Sequence, residues 1–285
     1  MPRAQGRSFA AGAMIWPVIA WLFIFVVIPA IILLIYSFCD RDEHGEIVFS
    51  FTLANYRRAF EPVYAAILWR SIDYALATTL ICAIAGYPVA YFIARSSPRS
   101  RDWLLLAVMI PFWTSFVIRT YAMITILSEE GPLSSALQWM RIISQPMDVL
   151  YTPGAVLAGL VYTYLPFMIL PIYAAVQKLD NALIEAAHDL GAGPVRAFWR
   201  IILPLTWSGV AAGIVLVFVP AVAMFAVSDL LGGGKTPMIG NVIESQFVGL
   251  SHDWPFGAAL GVLLLLMFII AMAIFGRRSG MRVSI

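Results

Sequence analysis

The chain has 285 residues, of which 61% are hydrophobic and 12% are charged, and it contains 2 cysteines. A soluble domain is typically about 45–50% apolar and about 25% charged, so the composition excludes a water-soluble globular domain, and also a disulfide scaffold or a disordered chain. An integral membrane protein remains, and six spans of roughly 20 residues would leave no room for a soluble catalytic domain.

Uncharged runs along the chain predict membrane-spanning helices, because each run reaches the length needed to cross a bilayer. The first run is too long for the core of a signal peptide, so we expect it to be retained. The predicted spans are 14–38, 74–94, 103–127, 152–177, 205–227 and 254–275. The expected fold class is all-α integral membrane, with residues 1–285 forming a single transmembrane domain.

Charge is distributed unequally between the two sides of these spans. The termini and even-numbered loops hold 11 of the 18 basic residues and 4 of the 16 acidic ones, a net charge of +7. The odd-numbered loops have a net charge of −6. The positive-inside rule therefore predicts cytoplasmic termini. An acidic outer face would attract cations, although the insertion rule alone also produces such a face. No nucleic-acid partner is expected.

The segment 178–204 between spans four and five predicts a helix, a turn and a second helix. Asp180 suits the N-cap of a helix over 181–190, and Gly191 or Gly193 would supply the left-handed stop. Pro194 suits the first turn of the second helix.

Pro204 predicts a bend where this second helix enters span five. One face of the first helix is apolar, and its small alanines would let a partner surface approach closely. That face consists of Leu183, Ala186, Ala187 and Leu190.

The same segment carries a seven-position motif known as the EAA motif. Its positions are Glu185, Ala186, Ala187, Gly191, Ile201, Leu203 and Pro204. On this motif the chain resembles permease subunits of binding-protein-dependent ABC importers. The resemblance implies that the loop docks in a groove of an ATP-binding subunit, with Arg196 and Arg200 as flanking contacts. The alternative is an incidental amphipathic surface helix.

Further motifs narrow the resemblance to PotB-type spermidine/putrescine permeases. They lie at 51–56, 86–88, 110–114, 118–121, 229–235, 239–241, 246–247 and 253–257. The resemblance implies a six-helix, MetI-like type I importer permease in the bacterial inner membrane, surrounded by lipid. Its implied partners are a sister permease, two ATP-binding subunits and a periplasmic polyamine-binding protein. ATP hydrolysis would lie on a separate chain, so no catalytic residues and no cofactor are expected.

A polyamine pathway needs carboxylates for the ammonium groups and aromatic faces for cation–π attraction. The aromatic candidates within the spans are Phe112, Trp113, Tyr121, Tyr162, Tyr164, Phe218 and Phe225. Asp229 and Glu244 are the acidic candidates, with Asp73 a weaker one. Packing or anchoring at the membrane interface is the alternative role of each aromatic residue.

Arg119 lies inside span three, where a charge facing lipid costs at least a few kcal/mol. It is therefore expected to be either a pathway residue or one partner of an ion pair with Glu129 or Asp229. Gly209 and Gly213 in span five have the spacing of close helix contacts, as do Gly257 and Gly261 in span six.

Other functions receive less support from the sequence. The run from Gly232 to Thr236 is not a phosphate loop, because Asp229 stands where such a loop needs glycine. Cys39 and Cys82 differ in depth, and the histidines have no metal-ligand spacing, so neither a disulfide nor a metal site is expected. An ion-coupled secondary transporter, an intramembrane enzyme, and an importer of iron or a small anion remain as alternatives.

Overall fold

The computed structural model describes residues 16–42, 46–143, 145, 149–249 and 252–278, with the backbone alone for 274–278. Residues 14 and 15 of the first predicted span lie outside the described residues, as do the terminal basic residues Arg3, Arg7 and Arg282.

The described part of the chain is built almost entirely of helices. They are α1 (Trp16–Tyr36), α2 (Ala54–Ala59), α3 (Pro62–Arg95), α4 (Pro98–Trp113), α5 (Phe116–Leu127), α6 (Pro132–Trp139), α7 (Pro153–Gln177), α8 (Asn181–Asp189), α9 (Pro194–Ala223), α10 (Ala226–Gly232), α11 (Ile239–Phe247) and α12 (Trp254–Arg278). Two short antiparallel strands, β1 (Asp40–Arg41) and β2 (Ile47–Val48), pair Asp40 with Val48. The all-α fold class is confirmed.

Five helices are long and apolar enough to cross a membrane, namely α1, α3, α7, α9 and the part of α12 from Trp254 to Ala273. A sixth candidate is a bent pair, Pro98–Trp113 followed by Phe116–Trp139, whose two parts meet at 95°. The structure therefore differs from the continuous third span expected over 103–127.

The break falls at Thr114 and Ser115, which both have extended backbone angles. Pro111 lies inside the last turn of α4, where its ring removes one backbone donor and crowds the preceding turn. The Thr114 hydroxyl donates to the Pro111 carbonyl oxygen at 2.7 Å. This side-chain bond takes the place of a helical bond and closes the helix before the bend.

Pro204 does not interrupt the helix, because α9 runs continuously from Pro194 to Ala223. Residues Phe198–Ile202 instead form a π-helical segment, whose last bond runs from the Leu203 N–H to the Phe198 carbonyl. The wider turn accommodates a proline, which has no N–H to donate and whose ring needs room. The helix ends at Ala223, four residues before the predicted end of span five.

The same device appears in α1. Its residues Phe23–Val27 are π-helical, and the Ile28 N–H donates to the Phe23 carbonyl just before Pro29. The agreement between two unrelated positions supports proline accommodation as the cause of both π segments.

The chain has two compact units, one made of 1–62 with 243–267 and the other of 63–242 with 268–285. In the second unit α7 and α9 pack closely. A Cβ on Gly209 would lie 2.6 Å from the Pro171 carbonyl oxygen, and one on Gly213 would lie 2.6 Å from the Met168 sulfur. The predicted close contact at these two glycines is confirmed, and at Gly209 a larger residue would collide with the backbone of α7.

In the first unit, α2 is tied to its surroundings by polar bonds. The Asn55 amide donates to the Cys39 carbonyl at 2.8 Å, and Arg58 pairs with Asp253 at 2.8 Å. The Arg58 guanidinium also lies 4.1 Å from the centre of the Phe256 ring, which is fully buried. Gly261 has nothing within 4 Å of a built Cβ, so the structure does not show the close contact predicted there.

Candidate functional site

The 178–204 segment folds as two helical arms, α8 and the first turns of α9. The Asp180 carboxylate accepts a hydrogen bond from the Ala182 N–H at 3.0 Å and caps α8. Pro194 occupies the first turn of α9. Both predictions are confirmed, and both follow from local chemistry at helix ends.

The stop of α8 is a Schellman motif centred on Gly191. The Gly191 N–H donates to the His188 carbonyl at 2.8 Å, and the Ala192 N–H donates to the Ala187 carbonyl at 2.9 Å. Gly191 has φ +80°, a left-handed conformation that a residue with a Cβ adopts at a cost, whereas Gly193 has φ −66°. Of the two candidates, Gly191 is therefore the residue that must be glycine for backbone reasons.

The apolar face predicted for α8 is divided between the inside and the outside. Ala187 is buried, as is Ala197 on the other arm, and the two arms contact each other. Leu183 and Ala186 are exposed, and Leu190 is 89% exposed. Ala187 therefore packs within the segment, while Leu183, Ala186 and Leu190 remain available to a partner.

The rest of the seven-position motif shows the same division. Glu185 and Pro204 are exposed, whereas Ile201 and Leu203 are half-buried. Several further exposed residues on the second arm are large or basic. They are Val195, Arg196, Trp199 and Arg200. Exposed apolar residues mixed with charges are typical of a protein–protein contact surface.

A second region, the aromatic groove, lies near the ends of α5, α7 and α10. Its volume is about 530 Å³. It is lined by Tyr121, Ile124, Tyr151, Asp229, Leu230, Gly233 and Lys235. Two of the predicted pathway residues, Tyr121 and Asp229, are thus brought together.

The Asp229 carboxylate is held in place by the start of α11. The Asn241 amide donates to Asp229 Oδ1 at 2.6 Å and to the Phe225 carbonyl at 3.1 Å. One carboxylate oxygen is thereby oriented, and Asp229 itself is exposed. A fixed, solvent-accessible carboxylate beside aromatic rings is suited to binding an organic cation.

Tyr151 completes the groove in a strained conformation. It has φ +61°, which is rare for an aromatic residue, and its N–H donates to the Leu231 carbonyl at 2.9 Å. A Cβ on Gly233 would lie 2.5 Å from the Tyr151 ring, so glycine is needed there. Lys235 Nζ lies 5.9 Å from the centre of that ring.

The sequence offered no signal for Tyr151, because the residue adjoins a predicted span and its role depends on contacts with α10.

The other candidate pathway residues do not line this groove. Phe112 and Tyr164 both contact Phe167, with ring centres 5.0 and 6.1 Å apart, and Tyr164 is 4% exposed. Trp113, Tyr162, Phe225 and Asp73 are exposed, while Phe218 and Glu244 are half-buried. Tyr164 is thus a core residue of this chain, and the remaining assignments rest on the sequence.

Arg119 lines a separate crevice that is too narrow for a water molecule, together with Tyr162 and Thr163. Its guanidinium carbon lies 6.0 Å from the centre of the Phe112 ring, and its Nε is buried without a hydrogen bond. Among the described residues, no carboxylate forms an ion pair with Arg119. The pairing expected with Glu129 or Asp229 is therefore not found in the structure.

Comparison with known proteins identifies the class of this chain. Residues 86–284 match the family described as "Binding-protein-dependent transport system inner membrane component". The chain belongs to this family, and it is a multi-pass inner-membrane permease subunit of an ABC importer. An ion-coupled secondary transporter and an intramembrane enzyme are thereby set aside.

Individual relatives show which permeases of this family the chain is similar to. The chain is 43% identical over 266 residues to "Spermidine/putrescine transport system permease protein PotB" of Escherichia coli (strain K12), covering 93% of this chain and 96% of the relative. The protein of the same name from Haemophilus influenzae is 44% identical over 262 residues, covering 92% and 91%. "Inner membrane ABC transporter permease protein YdcU" of E. coli is 32% identical over 243 residues, covering 80% and 76%.

Solved structures confirm the MetI-like fold. A chain of the bacterial alginate ABC transporter, in complex with an alginate pentasaccharide-bound periplasmic protein, superposes with a TM-score of 0.73 at 20% identity, covering 96% of this chain and 95% of that chain. A chain of the MetNI methionine ABC transporter in an inward-facing conformation gives a TM-score of 0.55 at 16% identity, covering 75% and 94%. At these identities the likeness concerns the fold alone.

Proposed function

We propose that the chain forms half of the translocation pathway of an ATP-driven importer for spermidine and putrescine. The observation that carries the proposal is the aromatic groove, which places the Asp229 carboxylate beside Tyr121 and Tyr151. A carboxylate neutralises an ammonium group, and aromatic faces attract both the ammonium and the methylene segments of a polyamine. The names of the relatives at 43% and 44% identity agree with this chemistry.

The 178–204 segment is the proposed docking site of an ATP-binding subunit. One support is the surface around Leu190, whose side chain is exposed. The other is the left-handed conformation of Gly191, which fixes the end of α8 beside that surface. Both termini are then cytoplasmic, ATP is hydrolysed on two separate subunits, and a sister permease completes the pathway. A periplasmic polyamine-binding protein delivers substrate to the opposite side.

The resemblance to permeases of ABC importers implies the transport cycle. ATP binding closes the two ATP-binding subunits on each other, and the docked 178–204 segment carries that movement into the spans. The pathway turns from the cytoplasm to the periplasm and receives substrate from the binding protein. The aromatic groove, at the other end of α7 from this segment, offers the arriving ammonium group its first carboxylate.

A small anion is the second candidate substrate, and one observation favours it. Lys235 lies in the same groove as Asp229 and contributes a positive charge there. Ferric iron is the other alternative that the sequence leaves open. The groove does not favour it, because Asp229 is the one carboxylate among the lining residues.

Uptake by a reconstituted transporter tests the substrate class. Proteoliposomes holding the chain, its sister permease and the ATP-binding subunits are given binding protein with labelled spermidine, putrescine, ferric iron or sulfate. We expect ATP-dependent accumulation of the two polyamines. Accumulation of sulfate or iron without polyamine would contradict the proposed substrate class. Accumulation of none of the four would contradict the proposed set of partner subunits.

A further inference from the structure

Two residues on one face of α3 each contact one arm of the 178–204 segment, and a third lies between them. Tyr87, Tyr91 and Arg95 are spaced four residues apart, so they lie above one another on the helix surface. We call them the α3 stripe.

At one end of the stripe, Tyr87 is bound to the second arm. Its hydroxyl lies 2.8 Å from the Thr206 hydroxyl, and Thr206 in turn donates to the Ile202 carbonyl at 2.8 Å. The Tyr87 hydroxyl is therefore the donor to Thr206. Thr206 is fully buried and Tyr87 nearly so, which shields the bond from competing water.

These contacts fall on the π-helical segment of α9. The Tyr87 ring meets the Phe198 ring edge to face, with the centres 5.2 Å apart. Phe198 is the first residue of the π segment and Ile202 the last. Tyr87 thus contacts the first residue directly and reaches the last through Thr206, in the stretch that separates the exposed arm from the membrane-spanning part of α9.

At the other end of the stripe, Arg95 is bound to the first arm. Its Nη1 donates to the side-chain oxygen of Asn181, the first residue of α8. The Arg95 guanidinium lies 5.5 Å from the centre of the Tyr91 ring. A planar guanidinium on an aromatic face has a defined orientation, so the bond to Asn181 is directed.

We propose that the α3 stripe is a transmission element through which movement of the 178–204 segment enters the second span. A π turn has poorer hydrogen-bond geometry than an α turn and commonly marks a hinge, so α9 alone would flex between its two ends. Tyr87 clamps that hinge, and Arg95 holds the start of α8, so both arms move with α3. Tyr87, Thr206 and Arg95 are positioning residues, and this role rests on the proposed docking function.

The number of substrate molecules imported per ATP hydrolysed tests the proposal, because loss of stability alone leaves this ratio unchanged. In the reconstituted complex we expect Tyr87→Phe to keep binding-protein-stimulated ATP hydrolysis within about twofold and to lower the ratio about tenfold, the typical effect of one buried hydrogen bond. Thr206→Val should do the same, and the double variant should lose no more than either single one.

Two matched variants serve as controls. Tyr91→Phe removes a hydroxyl from the same stripe but keeps the ring beneath Arg95, and it should leave the ratio unchanged. Thr206→Ser keeps the hydroxyl and should also preserve it. Arg95→Met should lower the ratio about threefold, as expected for a partly exposed bond.

A wild-type ratio in Tyr87→Phe would overturn the proposal, even if the wild-type complex imports polyamines. So would a fall of hydrolysis and uptake in equal proportion with a lower melting temperature, since Tyr87 would then act on stability. Failure of the wild-type complex to import under any condition would instead count against the proposed function.

Discussion

The 178–204 segment and the aromatic groove are built in opposite ways. The segment takes its shape from neighbours in sequence: Asp180 caps one helix and Gly191 ends it. The groove collects Tyr121, Tyr151 and Asp229 from three separate parts of the chain. The proposed docking surface is thus encoded locally, whereas the proposed cation pocket depends on how the spans pack. Substitutions in the segment should therefore impair the coupling of uptake to ATP hydrolysis, whereas substitutions in the groove should impair uptake at limiting substrate.

The largest effect is expected at Gly191. Gly191→Val places a β-branched residue at φ +80°, which costs about 1–3 kcal/mol, and adds a side chain to the proposed docking surface. ATP-coupled uptake should fall about 100-fold while the protein still inserts, because the cap and the surface are lost together.

Gly193→Val is the matched control for this prediction. Gly193 also has open space around a built Cβ, but its φ of −66° suits any residue. Uptake by this variant should stay within about twofold of wild type. Normal uptake by Gly191→Val would contradict the assignment of the segment as the docking site.

The groove should respond most strongly at Asp229. Asp229→Asn keeps an oxygen for the Asn241 amide but removes the charge, so uptake at limiting polyamine should fall about tenfold. ATP hydrolysis in the absence of binding protein should not change. Glu130→Gln, which removes an exposed acid outside the groove, is the control. Equal uptake by wild type and Asp229→Asn would remove Asp229 from the pathway.

A smaller effect is expected from the aromatic wall. Replacing Tyr121 with leucine removes a cation–π face worth about 0.5–1 kcal/mol, so uptake at limiting substrate should fall about two- to fivefold. Tyr121→Phe keeps the face and should behave like wild type. If the two variants have the same uptake, the ring contributes no attraction to the substrate.

The smallest effect concerns Arg119, which belongs to neither region. Because its guanidinium has no carboxylate partner among the described residues, Arg119→Met should raise the melting temperature of the purified permease by about 2–4 °C. Arg119→Lys keeps the charge and should show no gain. A lower melting temperature for Arg119→Met would contradict this expectation and would mean that the charge of Arg119 is stabilising.

The difference between the regions also decides what the sequence could predict. The helix cap at Asp180 and the glycine stop at Gly191 depend on residues close together in sequence, and the structure confirms both predictions. The contact of Gly209 and Gly213 with α7 is tertiary, but the spacing of the two glycines within one helix was enough to predict it. The break at Thr114 depends on a side-chain bond to a carbonyl, and the strained Tyr151 depends on α10. Ala187 faces inward because the two arms pack on each other, a tertiary effect that helical periodicity cannot show.

Two prolines, Pro204 and Pro111, affect their helices differently. Pro204 leaves α9 continuous, because the π turn at Phe198–Ile202 accommodates it. Pro111 lies close to a break in the helix, where the Thr114 hydroxyl donates to the Pro111 carbonyl oxygen in place of a backbone N–H. A helix therefore continues past a proline where a wider turn makes room for the ring. It ends near a proline where a side-chain donor binds the free backbone carbonyl.

Stimulation of ATP hydrolysis by the loaded binding protein tests the central claim most directly. The chain, its sister permease and the ATP-binding subunits are reconstituted, and hydrolysis is measured with binding protein that carries spermidine, putrescine, iron or sulfate. The account predicts stimulation by the polyamine-loaded protein, loss of that stimulation in Gly191→Val and retention in Gly193→Val. Stimulation by iron or sulfate in place of polyamine, or full stimulation in Gly191→Val, would contradict it.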